Sequence, residues 1–257
     1  MWLHSVGRIT KIIFNNPARC DKYRAVIPIP YMNYRSLPRI SNSDLTQFRN
    51  FLFGRTERKP VKAFAFGTAL HEMILEPGKS GTNPQKVDLE LVHKLATAAR
   101  EDKFLEWILQ FSSKEEVCLW QDSDTGLALK SKLDIVHENR LVVDIKSTSC
   151  RTRHEFMESC LRYDYDRQAA FYLDSLGKQG AAERKFAFVA IQKAKPFNVW
   201  KIEYAGDSDF IEFGRRKYQA LLGEWKHRES LGLNFVPSTW DMELYSNDKK
   251  GLGVIAD

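Results

Sequence analysis

Two neighbouring runs restrict this chain more than anything else in it: Leu129-Lys-Ser-Lys-Leu-Asp134-Ile-Val136 and Leu141-Val-Val-Asp144-Ile-Lys146-Ser147. A short turn parts them, and their apolar and β-branched content reads as two adjacent strands. Side chains alternate faces along a strand. Leu129, Leu133 and Ile135 therefore share a face in the first run, and Leu141, Val143 and Ile145 in the second. With both apolar faces turned to a core, Asp134, Asp144 and Lys146 emerge together on the other side. Register decides whether they meet, because directly opposed residues of an antiparallel pair lie on one face. Asp134 stands across from Asp144 only if the loop has an odd number of residues, for example Glu138-Asn139-Arg140. Asn139 tolerates the left-handed backbone that a three-residue hairpin loop needs.

Two carboxylates held close repel each other unless a cation lies between them. Mg²⁺ takes one or two carboxylates, several waters and phosphate oxygens of a substrate. Lys146, two residues beyond Asp144, points at the same space and suits the stabilisation of developing negative charge or the orientation of an attacking water. The set fits hydrolysis of a phosphodiester. The bland alternative is a surface hairpin with solvated charges, since D-x-K arises often by chance.

The order of further motifs favours the first reading. Ile40-Ser-Asn-Ser-Asp-Leu45, Gly67-Thr-Ala-Leu-His71-Glu, Glu116 with Thr125-Gly126, Lys132-Leu-Asp134, Asp144-Ile-Lys-Ser-Thr148 and Tyr165-Asp-Arg-Gln168-Ala-Ala-Phe-Tyr172 follow one another in the chain. Asp134 and Asp144-Ile-Lys146 resemble the PD-(D/E)XK nuclease signature. The run from Glu116 to Tyr172 is similar to the RecE (exonuclease VIII) branch, close to RecB-type nuclease domains. The similarity spans about Tyr34 to Trp225, with Leu133 standing where the motif that names the superfamily has proline. The resemblance implies an αβββαβ core and a Mg²⁺- or Mn²⁺-dependent 5′→3′ double-strand DNA exonuclease of recombination. It further implies metal held by His71, Asp134, Asp144 and the Ile145 carbonyl, with Lys146 acting on the water or the transition-state charge. Gln168 would position phosphate or water. A ring-like homo-oligomer and a single-strand annealing protein as partner belong to the same implication.

Read from the residues alone, several of these positions stay open. A lone histidine such as His71 on an apolar helix is more often a satisfied core residue than a ligand. Gln168 and Tyr172, four apart on one helix face, offer an amide donor and a hydroxyl for substrate contact; an ordinary amphipathic helix would look the same. Glu116, on the face of its strand opposite Val117 and Leu119, is either an extra carboxylate for substrate or metal, or a solvated strand residue.

The chain of 257 residues is long enough for one large core. The net charge of +6 is unevenly placed: residues 1–40 hold seven basic residues against Asp21 alone, the whole of the excess. A basic arm suits nucleic acid, and a leader without a role is the equal alternative. The expected division is a basic arm at 1–38, a nuclease domain at 39–232 and a tail at 233–257. Four scattered cysteines without C-x-x-C argue against a zinc site, a disulfide framework or an iron–sulfur cluster, and fit a reducing cytosol. No apolar run is long enough to span a bilayer.

The remaining pattern predicts a helix capped by Ser41, a helix over 63–75 and one or two helices over 87–110 with Trp107 facing the core. A three-strand meander at 115–121, 127–136 and 141–147 follows, then helices over 154–162 and 165–176, with Thr152 and Glu155 as a capping box. Strands at 185–192 and 197–204 and a closing helix at 207–231, with Phe213 on its apolar side, complete an α/β fold with a mixed sheet flanked by helices. Three functional alternatives stand beside the exonuclease: an endonuclease of the same fold, a DNA-binding module without catalysis, and an enzyme of small phosphorylated metabolites. The last lacks the Gly-rich phosphate loop it would need.

Overall fold

The computed structural model describes residues 12–15, 34–55, 61–76, 87–177, 180 and 183–240. Most of the basic arm, the 79–86 loop and the tail beyond 240 lie outside them. In chain order the elements are β1 (Ile12–Asn15), a 3₁₀ turn (Tyr34–Ser36), α1 (Asn42–Leu52), α2 (Val61–Leu75), α3 (Leu89–Glu101), α4 (Lys103–Phe111), β2 (Ser113–Gln121), β3 (Ala128–His137), β4 (Leu141–Thr148), α5 (Arg153–Arg162), α6 (Tyr165–Asp174), β5 (Lys185–Gln192), β6 (Val199–Ala205) and α7 (Asp209–Ser230). The strands join one mixed sheet in that order. β1 pairs with β2, and β4 with β5, in parallel; β3 with β4, and β5 with β6, run antiparallel. This is the expected α/β architecture, with β1 added at one edge.

The chain forms two compact units, 57–116 with 132–217, and 1–56 with 117–131 and 218–257. The first has a continuous apolar core. Ile135, Val143 and Ile145 meet Ala187, Val189 and Ile191 of β5, and Leu70 and Ile74 of α2, Leu95 of α3 and Ile108 of α4 pack on them. The apolar faces read from the hairpin are buried apart from half-buried Leu141, and the opposite face is largely buried too, at Lys130, Asp134, Val136, Val142 and Asp144. Asp102 ends α3 and caps α4, accepting from the amides of Phe104 and Leu105, which explains why one helical stretch becomes two.

In the second unit Ser41 and Asp44 form a reciprocal capping box at the start of α1. Phe48 packs on Trp225 and Phe235 at ring separations of 4.7 and 5.2 Å. Lys130 is 1% exposed. Its ammonium donates to the carbonyls of Tyr34, Arg35 and Leu37 at 3.0, 3.1 and 2.8 Å.

Three expectations need correction. Trp107 is 43% and Phe213 45% exposed, so neither belongs to the core. Trp107 instead stacks along α4 with Phe104 and Phe111 and against His137, and Phe213 lies 4.6 Å under the Lys217 ammonium. At α5, Thr152 accepts from the Glu155 amide, but the Glu155 carboxylate takes the Arg151 amide rather than the cap's own, so the box is displaced by one residue.

Candidate active site

The hairpin sets the site. Ile135 pairs with Val143, Val136 with Val142 and His137 with Leu141, leaving Glu138, Asn139 and Arg140 as the loop. Glu138 and Asn139 both take positive φ, 50° and 56°. Continuing the register by one pair puts Asp134 opposite Asp144, as an odd loop requires. All the groups that follow lie within the first unit.

Asp134 is locked by the strand it faces: its Oδ2 accepts the Ile145 amide at 2.8 Å. From α2, His71 reaches both strands of this pairing. Nε2 lies 2.7 Å from the Ile145 carbonyl, and Nδ1 lies 3.4 Å from Asp134 Oδ1. A carbonyl only accepts, so Nε2 carries a proton; Nδ1 then faces the carboxylate favourably as a second N–H. Burial works against that imidazolium, but the Asp134 charge and hydrogen bond outweigh it and raise the His71 pKa. Burial alone would raise Asp134; His71, with Lys146 and the Ile145 amide, holds it below the ordinary carboxylate range.

Asp144 behaves oppositely. Burial pushes its carboxyl up to about 6, with Asp134 adding and Lys146 opposing. Oδ1 accepts from Gln168 Nε2 at 2.7 Å. Oδ2 lies 2.6 Å from Lys146 Nζ but receives no hydrogen bond of good geometry, although it is buried. Burial would lower Lys146; Asp144, Tyr165 and Asp134 together raise it, so the ammonium stays charged. Two carboxylates one strand apart thus have opposed proton affinities, which is how environments divide roles between like groups.

The sequence-derived residues do not all converge. His71, Asp134, Asp144, the Ile145 carbonyl, Lys146 and Gln168 gather at one place. Gln168 is nine-tenths buried, and one N–H of its amide goes to Asp144 Oδ1. Tyr172 is half-buried; burial, with Asp144 adding, raises its hydroxyl, and the Gln168 side chain is its hydrogen-bonding neighbour. Glu116 is 4% exposed on β2, which corrects its reading as a solvated strand residue. Tyr165 was missed: its ring lies 4.7 Å beneath Lys146 Nζ. Its place three residues before Gln168, hence on a shared helix face, was the available signal.

The donor set fits a hard divalent cation. Imidazole nitrogen, carboxylate and main-chain carbonyl meet at hydrogen-bonding distance, and a buried Asp144 oxygen has no hydrogen bond. Among the described residues, no three His, Cys, Asp or Glu side chains already close on one point. The fourth donor here is a backbone carbonyl, and Asp144 is turned toward Lys146 and Gln168.

A family model described as a PDDEXK-like domain of unknown function (DUF3799) matches residues 44–230. The chain belongs to this family. The matched span holds every residue of the cluster just described. No curated protein matches the sequence. Among solved structures, a candidate exonuclease from Eubacterium rectale is 13% identical, with a TM-score of 0.57 over 86% of this chain and 94% of that one, a likeness of fold. A phage-related exonuclease from Haemophilus somnus 129PT is 14% identical (TM-score 0.41, 74% of this chain and 83% of that one). An alkaline exonuclease from Laribacter hongkongensis is 13% identical (TM-score 0.36, 85% and 96%). These last two are too distant to carry an argument.

Proposed function

We propose that this chain is a metal-dependent deoxyribonuclease, a 5′→3′ exonuclease of double-stranded DNA. The observation that carries the reading is the meeting of His71, Asp134, Asp144, Lys146 and the Ile145 carbonyl at one hairpin. His71, Asp134, Asp144 and the Ile145 carbonyl would hold Mg²⁺ or Mn²⁺, which supplies Lewis acidity toward a phosphoryl oxygen and an acidified water. Lys146, kept cationic by its neighbours, stands where negative charge develops on the phosphate. Gln168 fixes the Asp144 carboxylate, and Tyr165 fixes the approach of Lys146. Tyr172 follows Gln168 by one turn of α6 and is the further candidate for substrate contact. Membership of a PDDEXK-like family and the fold shared with a candidate exonuclease support this role.

Polarity, duplex preference, a homo-oligomer on DNA and an annealing partner rest on the resemblance of the motifs, and a cytosolic setting on the scattered cysteines. No helix among the described residues is long and apolar enough to cross a membrane.

The test is digestion of linear duplex against covalently closed circles, with Mg²⁺, Mn²⁺ or EDTA, using wild type and Lys146→Ala. Loss of linear DNA alone, abolished by EDTA and by the substitution, supports the exonuclease; selective release of a 5′ label fixes polarity. Cutting of closed circles favours an endonuclease, and no metal-dependent loss of either substrate a binding module.

A further inference from the structure

Next to the Lys146 contact the chain makes a tight turn between α5 and α6. Tyr163 stands on it 61% exposed, the most exposed tyrosine of the described large apolar and aromatic side chains. Its ring lies 5.8 Å from that of Tyr165, whose face carries Lys146 Nζ at 4.7 Å. Nζ and the Tyr163 ring are therefore at most about 11 Å apart, within a few nucleotide steps of about 3.4 Å on one strand.

The turn is built to hold that ring in place. Asp164 takes a left-handed backbone, φ 52°, a conformation that aspartate adopts more readily than most residues. Lys217 ties down both Asp164 and the fully buried Asp166, at 3.1 and 2.8 Å. Gly214 of α7 lies so close that an added Cβ would stand 2.0 Å from the Asp166 carbonyl oxygen. An exposed aromatic on a rigid turn loses little freedom when it binds. Arg162, exposed beside it, supplies a cation for a backbone phosphate.

We propose that Tyr163 is a stacking platform for an unpaired nucleobase adjacent to the scissile phosphate. This rests on the nuclease reading of the site and deepens it: the strand engaged at Lys146 is locally single-stranded, and a base from it lies on the Tyr163 ring. Every base has a π-face, so the contact is blind to sequence.

The probe is a duplex with a short 5′ overhang carrying 2-aminopurine at successive positions near the end, titrated with the full chain in EDTA so that binding is read without cleavage. In wild type one position is quenched. Tyr163→Ala and Tyr163→Leu lose the quench and bind about 10-fold more weakly, within what a base–aromatic stack contributes, while Tyr163→Trp keeps both. On a strand abasic at that position, wild type and Tyr163→Ala bind alike. The inference is overturned if Tyr163→Ala quenches and binds as wild type does, if its loss persists on the abasic strand, or if wild type quenches no position. Cleavage with Mg²⁺ is scored separately. Stacking without cleavage removes the nuclease reading and leaves the platform; cleavage without stacking does the reverse.

Discussion

Lys130 of β3 and Lys146 of β4 are both lysines on the polar side of a hairpin strand, and both lie over a tyrosine ring, Tyr34 at 5.1 Å and Tyr165 at 4.7 Å. Their other partners differ. Lys130 gives three hydrogen bonds to main-chain carbonyls, and burial lowers its pKa to about 8, with Asp44 opposing. Lys146 faces Asp144 and Asp134, and its pKa rises. An ammonium whose donors are spent on backbone ties a segment down. One held against carboxylates, with a charge poised for another, is equipped for chemistry. The residue type and its face are the same; the acceptors decide the role.

The largest difference should appear on removing each lysine. Lys146→Ala is expected to reduce hydrolysis about 10²–10³-fold, as loss of one preorganised charge donor does, and the loss should persist when rates are scaled to the folded fraction. Lys130→Met is expected to cost about 3 kcal/mol of stability, because it orphans buried carbonyls, while the folded fraction cleaves at the wild-type rate. If urea melts and turnover assign both losses to the same property, the distinction between the two lysines collapses.

The next effect is a pH slope. A lysine with a pKa of about 8 in the fold and its ordinary value in the unfolded chain binds more protons when unfolded between those values. Stability should therefore rise with pH across that window, by roughly 2 kcal/mol from pH 8 to 10, and stay flat below it. Urea titrations of wild type and Lys130→Met isolate the term: the slope should vanish in the variant.

Smaller still are the rings. Tyr34→Leu should cost about 0.5–1 kcal/mol of stability, and Tyr165→Leu, which frees the Lys146 head, should slow hydrolysis by roughly 5-fold, both within the range of a cation–π contact. Differential scanning calorimetry for the first and single-turnover rates for the second give the readings. A stability loss at Tyr165 with no change in rate would make its lysine contact a packing contact like the one at Tyr34.

Much of the site was legible because a strand pair has simple geometry. Alternation put Asp134, Asp144 and Lys146 on one face, and the parity of the loop put the carboxylates opposite each other. The α1 cap was readable from Ser41 and Asp44, since that signal is local. What failed depends on contacts remote in sequence. Nothing near Lys130 announces that carbonyls more than ninety residues away will collect around its ammonium. Trp107 and Phe213 follow the helical apolar spacing but occupy the rim of it, where only the packing neighbours decide exposure. Nothing near Gln168 announces that one of its amide donors will meet Asp144, twenty-four residues away. Gly214 looks like a weak point in a long helix until the Asp166 backbone is found against it.

The three-residue turn at Glu138-Asn139-Arg140 also limits how this chain can change length. Inserting or deleting a single residue there shifts β4 by half a pleat. Asp144 and Lys146 would then point into the apolar core and Val143 and Ile145 out of it. Relatives sharing this arrangement should differ at the turn by even numbers of residues, so that odd-length variants mark lineages in which the pairing of Asp134 with Asp144 has been abandoned or rebuilt from another strand.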